Sequence, residues 1–584
     1  MQPQIDTKEA IMKRSGFQFL FLLIIALLLS TNELYAQQGG DAQSSLLPEI
    51  DPQDIEIRSE FRARFPGLRR QPILGFNPKP SVYQVDPDRQ PFMETQEEVV
   101  ANLPITDLSR PAAPEYRALY YEPEINAFSR AGVGSFVSPE IEFWGVSRFS
   151  ENSYAGGQMD YHSSNGHLET ENSSFRFFDA DGEFATKLSS NVALKLNGGL
   201  ENSFNRLFEL EGSTAPLQVP SGPRKNYTGL NAGIGLDQHT NSIEGWNADI
   251  DVRWFNMDMN AGDIGGSATE SILNASFGKV WAGNNIQETY GLQASFRGGS
   301  YDLSSQNSEN WMTLRAGAEY DRLLDYSTQI TANADFVYAS NAFEDKVYPG
   351  FQLKAKHWMH NNLIISAHLS GDPKLQSIEQ LHNLNRFLNY RTEPRHTYTI
   401  EAGGGIDFEY FPGSTMYASV SYMQAQNYAY FSRASLSSIT SADGYYIANY
   451  RDANKIKGEA GIIHQLVPDK FWINAKAYVQ QPKFNNGDDI PYEESWGINS
   501  GASAKLLDRF RIEAWADYVS KRNTLSSTTV DGFFLVGGQL DVDITDKVGV
   551  YVKMMNLLSQ EYEIWSGYEE RPFQAYGGVT IKLN

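Results

Sequence analysis

The chain of 584 residues contains no cysteine. Disulfides, thiol chemistry and anchoring through a lipidated cysteine are thereby excluded. Positive charge is scarce: 48 Lys and Arg stand against 71 Asp and Glu, leaving a formal charge of −23. That balance argues against nucleic acid, and against an anionic membrane surface, as partners. Long apolar runs are missing too. Apart from one run near the start, nothing approaches the roughly 20 residues that a spanning helix needs. With a mean hydropathy of −0.43, a helical membrane protein is excluded. Catalytic signatures are also absent, with no Gly-x-Ser-x-Gly elbow and no phosphate-cradling Gly-Lys-Ser/Thr loop. The chain reads as a non-enzyme, with no catalytic, cofactor-binding or metal residue assigned and no cofactor implied.

What is present begins with an export signal. Lys13 and Arg14 precede an apolar run from Phe17 to Leu29, and Leu34-Tyr35-Ala36 offers a small residue before Gln37. A positive region, a short apolar core and a small-residue cleavage site predict a signal peptide over residues 1–36. Met1 to Ile11 is unlike a signal, and Met12 suits its start better. Residues 37–124 then hold 12 of the 25 prolines, including Pro78-Lys79-Pro80. Proline removes ladder donors and favours extended backbone. This stretch reads as a Pro-rich segment, periplasmic or associated with a lumen, with a short strand at Asp54 to Arg58.

From residue 125 to 584 the pattern changes to period two. Near the end Phe534, Val536, Gly538, Leu540, Val542 and Ile544 alternate with Leu535, Gly537, Gln539, Asp541 and Asp543. Val548, Val550, Val552 and Met554 repeat the pattern, as do Ala575, Val579, Ile581 and Leu583 in the last segment. Earlier, Trp246, Ala248, Ile250, Val252 and Trp254 face away from Asn247, Asp249, Asp251 and Arg253. Ile330 to Phe336 and Phe510 to Tyr518 behave alike. Each such strand has one apolar face and one wet one.

Ten short polar turns punctuate these segments: Phe149–Glu151, Ser189–Asn191, His239–Asn241, Ala282–Asn284, Leu324–Tyr326, His360–Asn362, Phe411–Gly413, Val467–Asp469, Leu507–Arg509 and Thr545–Lys547. Two strands per turn, one before (Phe128 to Gly134) and one after, predict about twenty-two. Alternating segments of about ten residues, with short turns at one end and long loops at the other, predict a transmembrane antiparallel β-barrel. The fold class is all-β. Lipid cannot satisfy backbone polar groups, so the strands must close on themselves. Phe149, Trp281, Tyr326, Trp358, Phe411, Phe471 and Trp472 sit near the turns, where an interfacial girdle is expected.

Two stretches carry a resemblance. The ending Asn556-Leu557-Leu558, Tyr562 to Tyr568, Arg571-Pro572-Phe573 and Gly577 to Leu583 resembles the last hairpin of TonB-dependent receptor barrels of the Bacteroidota type. Ala131 to Phe136, followed by Pro139-Glu140-Ile141-Glu142, resembles the first hairpin of a group of such barrels without a recognisable plug domain. The resemblance implies an exported protein of a Gram-negative type of outer membrane, a receptor-like barrel for binding or transport of a solute. Its implied partners are outer-membrane lipid, an unidentified small-molecule solute, and a periplasmic or plug-like protein. Twenty-two strands is also the count of plugged outer-membrane transporters. Two departures stand out. The Pro-rich segment is neither plug-sized nor plug-like, with Asp54 to Arg58 the one faint candidate for a TonB box. The chain also ends Lys582-Leu583-Asn584, without the terminal aromatic typical of such barrels. The alternative reading is a structural or assembly barrel with an occluded lumen and no transport.

Candidate binding residues are few. His357 and His360 have zincin-like spacing, but on a strand an offset of three puts the rings on opposite faces. Carboxylates two apart share a face: Asp179, Asp181 and Glu183; Asp249 and Asp251; Asp407 and Glu409; Asp541 and Asp543. They read as a wetted wall rather than as cation or acid–base pairs. The long loops Glu201 to Asn226 and Gly371 to Arg395 are the ligand-facing candidates. Their aromatics Phe204, Phe208, Phe387 and Tyr390 read as packing residues ahead of sugar-stacking ones.

Overall fold

The computed structural model describes residues 126–583, apart from 169–171, 211–218, 220, 239–243, 286, 305–307, 434–444, 469, 508 and 526–527. The expected leader 1–36, the segment 37–124 with its strand at 54–58, and the turn at His239–Asn241 lie outside the described residues.

Twenty-two antiparallel strands form one closed sheet. Each pairs with its neighbour in sequence. The single exception is the seam, where the first strand, Ala127–Gly134, meets the last, Gln574–Leu583, in a register from Ala127↔Leu583 to Gly134↔Tyr576. Strand ends bracket every one of the ten expected short turns, from Ser150 and Ser153 at the first to Asp543 and Val548 at the last. Two further hairpins lie in the outer loops, one pairing Arg522–Asn523 with Thr529–Val530 and one pairing Glu563–Trp565 with Tyr568–Glu569. Ser566 and Gly567 make the second hairpin's turn. Gly567 takes φ +85°, a left-handed conformation that favours glycine, and a Cβ there would also push against the Glu209 side chain.

The apolar faces point outward. On the strand Gly245–Asn260, Ile250 is 51% exposed, and Val252 and Trp254 are exposed beside it. Phe336, Leu540, Val552 and Ile581 are exposed in the same way on their own strands. Phe149, Trp281, Tyr326 and Phe411 stand exposed at the turn end, as a girdle requires, while Trp358, Phe471 and Trp472 are half-buried. From Trp246 to Trp254 the apolar face runs eight residues, about 26 Å along the strand. Tilted by roughly 40°, that stretch spans about 20 Å of height, most of an apolar band about 25 Å tall.

Many strands outrun the band. Tyr446–Val467 has 22 residues and Gly245–Asn260 has 16, against the ten expected. The reason is visible at Trp254-Phe255, where two adjacent apolar residues break the alternation. Below the break the even positions are apolar and outward. Above it the apolar positions are odd: Phe255, Met257 and Met259 are buried, while Asn256 is half-buried and Asp258 and Asn260 are exposed. The strand keeps its pleat while its chemistry inverts. Outside the bilayer the outer surface meets water, and the inner face can serve a protein core.

Candidate functional site

Within the band the inner wall is polar and internally paired. Arg130 reaches Glu142 at 3.5 Å and Asp541 at 3.4 Å, and Lys582 reaches Asp543 at 3.2 Å. Glu140 accepts from Lys553 at 2.6 Å and from the Tyr551 hydroxyl at 2.5 Å. Of these links, Arg130–Asp541 and the two contacts of Glu140 cross the seam on its lumen side. Unpaired buried charge is costly, and here acid meets base or amide. Asp181 accepts from Gln158 at 3.5 Å, Asp249 from Asn247 at 3.2 Å, and Asp251 from Asn197 at 3.5 Å. Asp181, Asp249, Asp251, Asp541 and Asp543, among the carboxylates read from the sequence, therefore belong to a hydrogen-bonded wall. Among the described residues no group of three His, Asp or Glu is placed to hold a metal ion. His357 Nδ1 pairs with Thr328 Oγ1 at 2.9 Å. On the lower wall Trp144, Gln158, Asp181, Glu183, Asn197 and Asn231 line a recess of about 340 Å³. Trp144 alternates with the outward Ile141 and Phe143, so its exposed ring faces the lumen.

Above the band the outer mouth is covered by its loops. The loop between strands Leu363–Leu375 and His396–Phe411 carries the helix Ile378–Leu384. A capping box starts that helix: Ser377 Oγ accepts from Gln380 N at 3.2 Å, and Gln380 Oε1 accepts from Ser377 N at 3.1 Å. Ile378 and Leu381 are fully buried, in one apolar cluster with Tyr227, Phe255 and Met257 from the inverted strand ends. Glu379 pairs with Arg253. Burial pushes the Glu379 carboxyl above its ordinary value, against the pull of Arg253.

Lys225 fixes the loop. This fully buried side chain donates to His382 Nδ1 at 2.9 Å, to Arg386 O at 3.0 Å and to Leu388 O at 2.6 Å. Three polar partners thus surround the Nζ. The Tyr227 hydroxyl adds a second bond to Arg386 O at 2.9 Å. Burial, with Lys225 beside it, holds the His382 imidazole well below its ordinary pKa. The ring is therefore neutral and stacks on Phe255 with centroids 6.4 Å apart.

The same loop then crosses the mouth. Phe387 stacks on Tyr568 at 3.5 Å between centroids, and Phe208 meets Tyr568 edge-on at 4.9 Å. Leu388 forms a parallel bridge with Tyr446, whose hydroxyl donates to Ser566 O at 2.8 Å. Arg386 pairs with Glu570 at 2.6 Å and Arg433 with Glu209 at 2.5 Å. Strand ends near Tyr227 and Phe255 and the hairpin at Tyr568 sit on different parts of the ring, and this loop joins them.

Sequence reading placed the ligand-facing loops at Glu201 to Asn226 and Gly371 to Arg395. The structure narrows them, because pairing continues to Arg206 and Leu375 and resumes at Arg224 and His396. Phe208, Phe387 and Tyr390 are buried in the cap, which is the packing role. Phe204 lies on a strand instead, beneath the Arg176 guanidinium at 5.4 Å. The reading missed Lys225, His382 and the helix. Ser377-Ile378-Glu379-Gln380 was the available signal, a capping box before an apolar pair.

No protein-family model and no curated protein sequence matches the chain. Solved structures do. The ferric-catecholate import receptor Fiu from E. coli K12 superposes with a TM-score of 0.60 at 10% identity, over 79% of this chain and 82% of that one. The copper transporter OprC gives 0.63 at 11% identity, over 80% and 82%. The FrpB iron transporter from Neisseria meningitidis gives 0.61 at 8% identity, over 80% and 82%. At such identities what is shared is architecture, and this chain has the closed barrel fold of those three transport proteins.

Proposed function

We propose that the chain is a receptor-like barrel of a Gram-negative outer membrane that binds a small solute and passes it across, without enzymatic chemistry. The observation that carries this reading is the combination of a wet, charged inner wall with an outer mouth closed by a loop cap that has its own core. A sealed structural cylinder has no need of a lumen lined with Arg, Lys, Asp and Glu. The structural neighbours, a ferric-catecholate import receptor, a copper transporter and an iron transporter, support the class. The resemblance of both end hairpins supports the finer reading, a barrel of the Bacteroidota type without a plug domain of its own.

The chain reaches the membrane by export, with residues 1–36 removed and 37–124 remaining on the periplasmic side or in the lumen. Conductance in planar bilayers tests the whole proposal. The mature chain should conduct weakly. Replacing 378–388 by a flexible linker, or deleting 37–124, should raise conductance with a preference for cations. The packed cap favours one second reading, a structural barrel with an occluded lumen. Closed pores in all three proteins would support that reading and reject transport.

A further inference from the structure

The outer rim holds a second recess, on the outward side of the hairpin that also anchors the cap. The two loop hairpins are locked together by Arg522, which is buried and donates to Ile564 O at 2.9 Å and Glu563 O at 2.6 Å. They overhang the barrel's outward face. Beneath the overhang Trp496 and Tyr518 pack with ring centroids 4.5 Å apart and planes 33° apart. Between roof and rings lies a groove of about 870 Å³, lined also by Lys521, Asp531, Glu561 and Tyr562. That volume is in the range of small-ligand sites. Beside the rings, in register with them, Val479 pairs with Trp496 and Ile498 and Phe534 flank Tyr518; the three are exposed on the outward wall, at 59%, 41% and 42%.

Aromatic residues at this level are ordinary in a barrel, since Trp and Tyr settle at the interface. A protein roof over them, bearing carboxylates, is not part of a girdle. We propose that this groove binds the uncharged saccharide headgroup of an outer-leaflet glycolipid, whose acyl chains lie along Val479, Ile498 and Phe534. The Trp496 and Tyr518 faces suit the C–H face of a pyranose. Asp531 and Glu561 accept from its hydroxyls, and the Tyr562 hydroxyl can donate or accept. Four carboxylates (Asp531, Glu561, Glu563, Glu569) against one Lys521 in the lining oppose a phosphate headgroup. Continuity with the lipid-facing wall selects a membrane-anchored sugar over a free one. The inference needs the barrel's place in the membrane and is independent of transport.

The test is native mass spectrometry of the full folded chain in a sugar-free oligo(oxyethylene) detergent. The probe is monoglucosyl diacylglycerol, compared with diacylglycerol, phosphatidylglycerol and methyl glucoside. One glucosyl lipid should be retained, about tenfold more weakly by W496L/Y518L, the size of one lost aromatic contact. Heat-modifiable migration confirms that the variant is a folded barrel. If it is not, D531N/E561Q replaces it and should also weaken retention several-fold. Equal retention by variant and parent, or equal retention of phosphatidylglycerol, overturns the proposal. Methyl glucoside bound as tightly as the glycolipid overturns the membrane-anchored ligand.

Discussion

One strand can test the boundary between membrane and water. On Gly245–Asn260, Ile250 is the third of five outward apolar positions between Trp246 and Trp254 and is half-exposed. Ile250→Arg therefore places a charge near the bilayer midplane, at a cost of about 2–4 kcal/mol. Asn256→Arg faces the same side, two residues above Trp254, and should cost about 0–1 kcal/mol because that level is already interfacial or wet. Asp249→Asn, on the wet inner wall, should be nearly silent. Met257→Ala removes a fully buried side chain from the core shared with the cap, at a cost of about 2–5 kcal/mol. Equilibrium unfolding in lipid vesicles gives all four values. Ile250→Arg and Asn256→Arg of equal cost would refute the boundary at Trp254. A harmless Met257→Ala would refute the core above it.

Three further outcomes follow from the cap and the leader. Lys225→Met leaves His382 Nδ1 and Leu388 O without their donor, while Arg386 O keeps Tyr227, at about 1–3 kcal/mol for each buried group, so hydrogen exchange over 376–395 should accelerate while the strands stay protected. His382 is held neutral in the cap, whereas an unfolded loop binds a proton below its ordinary value of about 6.5. Cap stability should thus be full at neutral pH and fall as pH drops below about 6.5, read as faster exchange at pH 5 after correction for intrinsic rates; His382→Gln should flatten the profile. The mature protein should begin at Gln37 and fractionate with outer membrane, and recovery in soluble periplasm would contradict the export reading.

Barrel, strand count and facing were legible because they depend on period two, which a single strand displays. Ile250 against Asp249 is enough to orient its strand, and a polar turn is enough to end one. The cap depends on contacts between residues far apart, such as Phe387 with Tyr568 or Lys225 with Leu388, and no local pattern announces such partners. Composition misleads there as well. Tyr390 and Phe208 in polar loops look like exposed binding aromatics until another loop covers them. The inversion at Trp254-Phe255 was written in the sequence, yet inside one strand it looks like a fault in the alternation. It becomes readable only once the bilayer supplies two different outsides.

The seam has a consequence for how this molecule comes into being. Twenty-one of the twenty-two pairings join strands that follow one another in the barrel sequence, and hairpins of that kind can zip up one after another. Joining Ala127 to Leu583 closes a loop of roughly 450 residues. Relative to a ten-residue loop that is between five and six doublings, about 3 kcal/mol of additional entropy. Closure must therefore come last, after the final strand exists, and until then both terminal strands present unpaired edges open to partners from elsewhere. The ion pairs Arg130–Asp541 and Lys553–Glu140 can form only at that moment. They act as a clasp on a ring that is otherwise a chain of neighbours, and if the wall ever parts to admit an assembly factor or a lipid, it parts there.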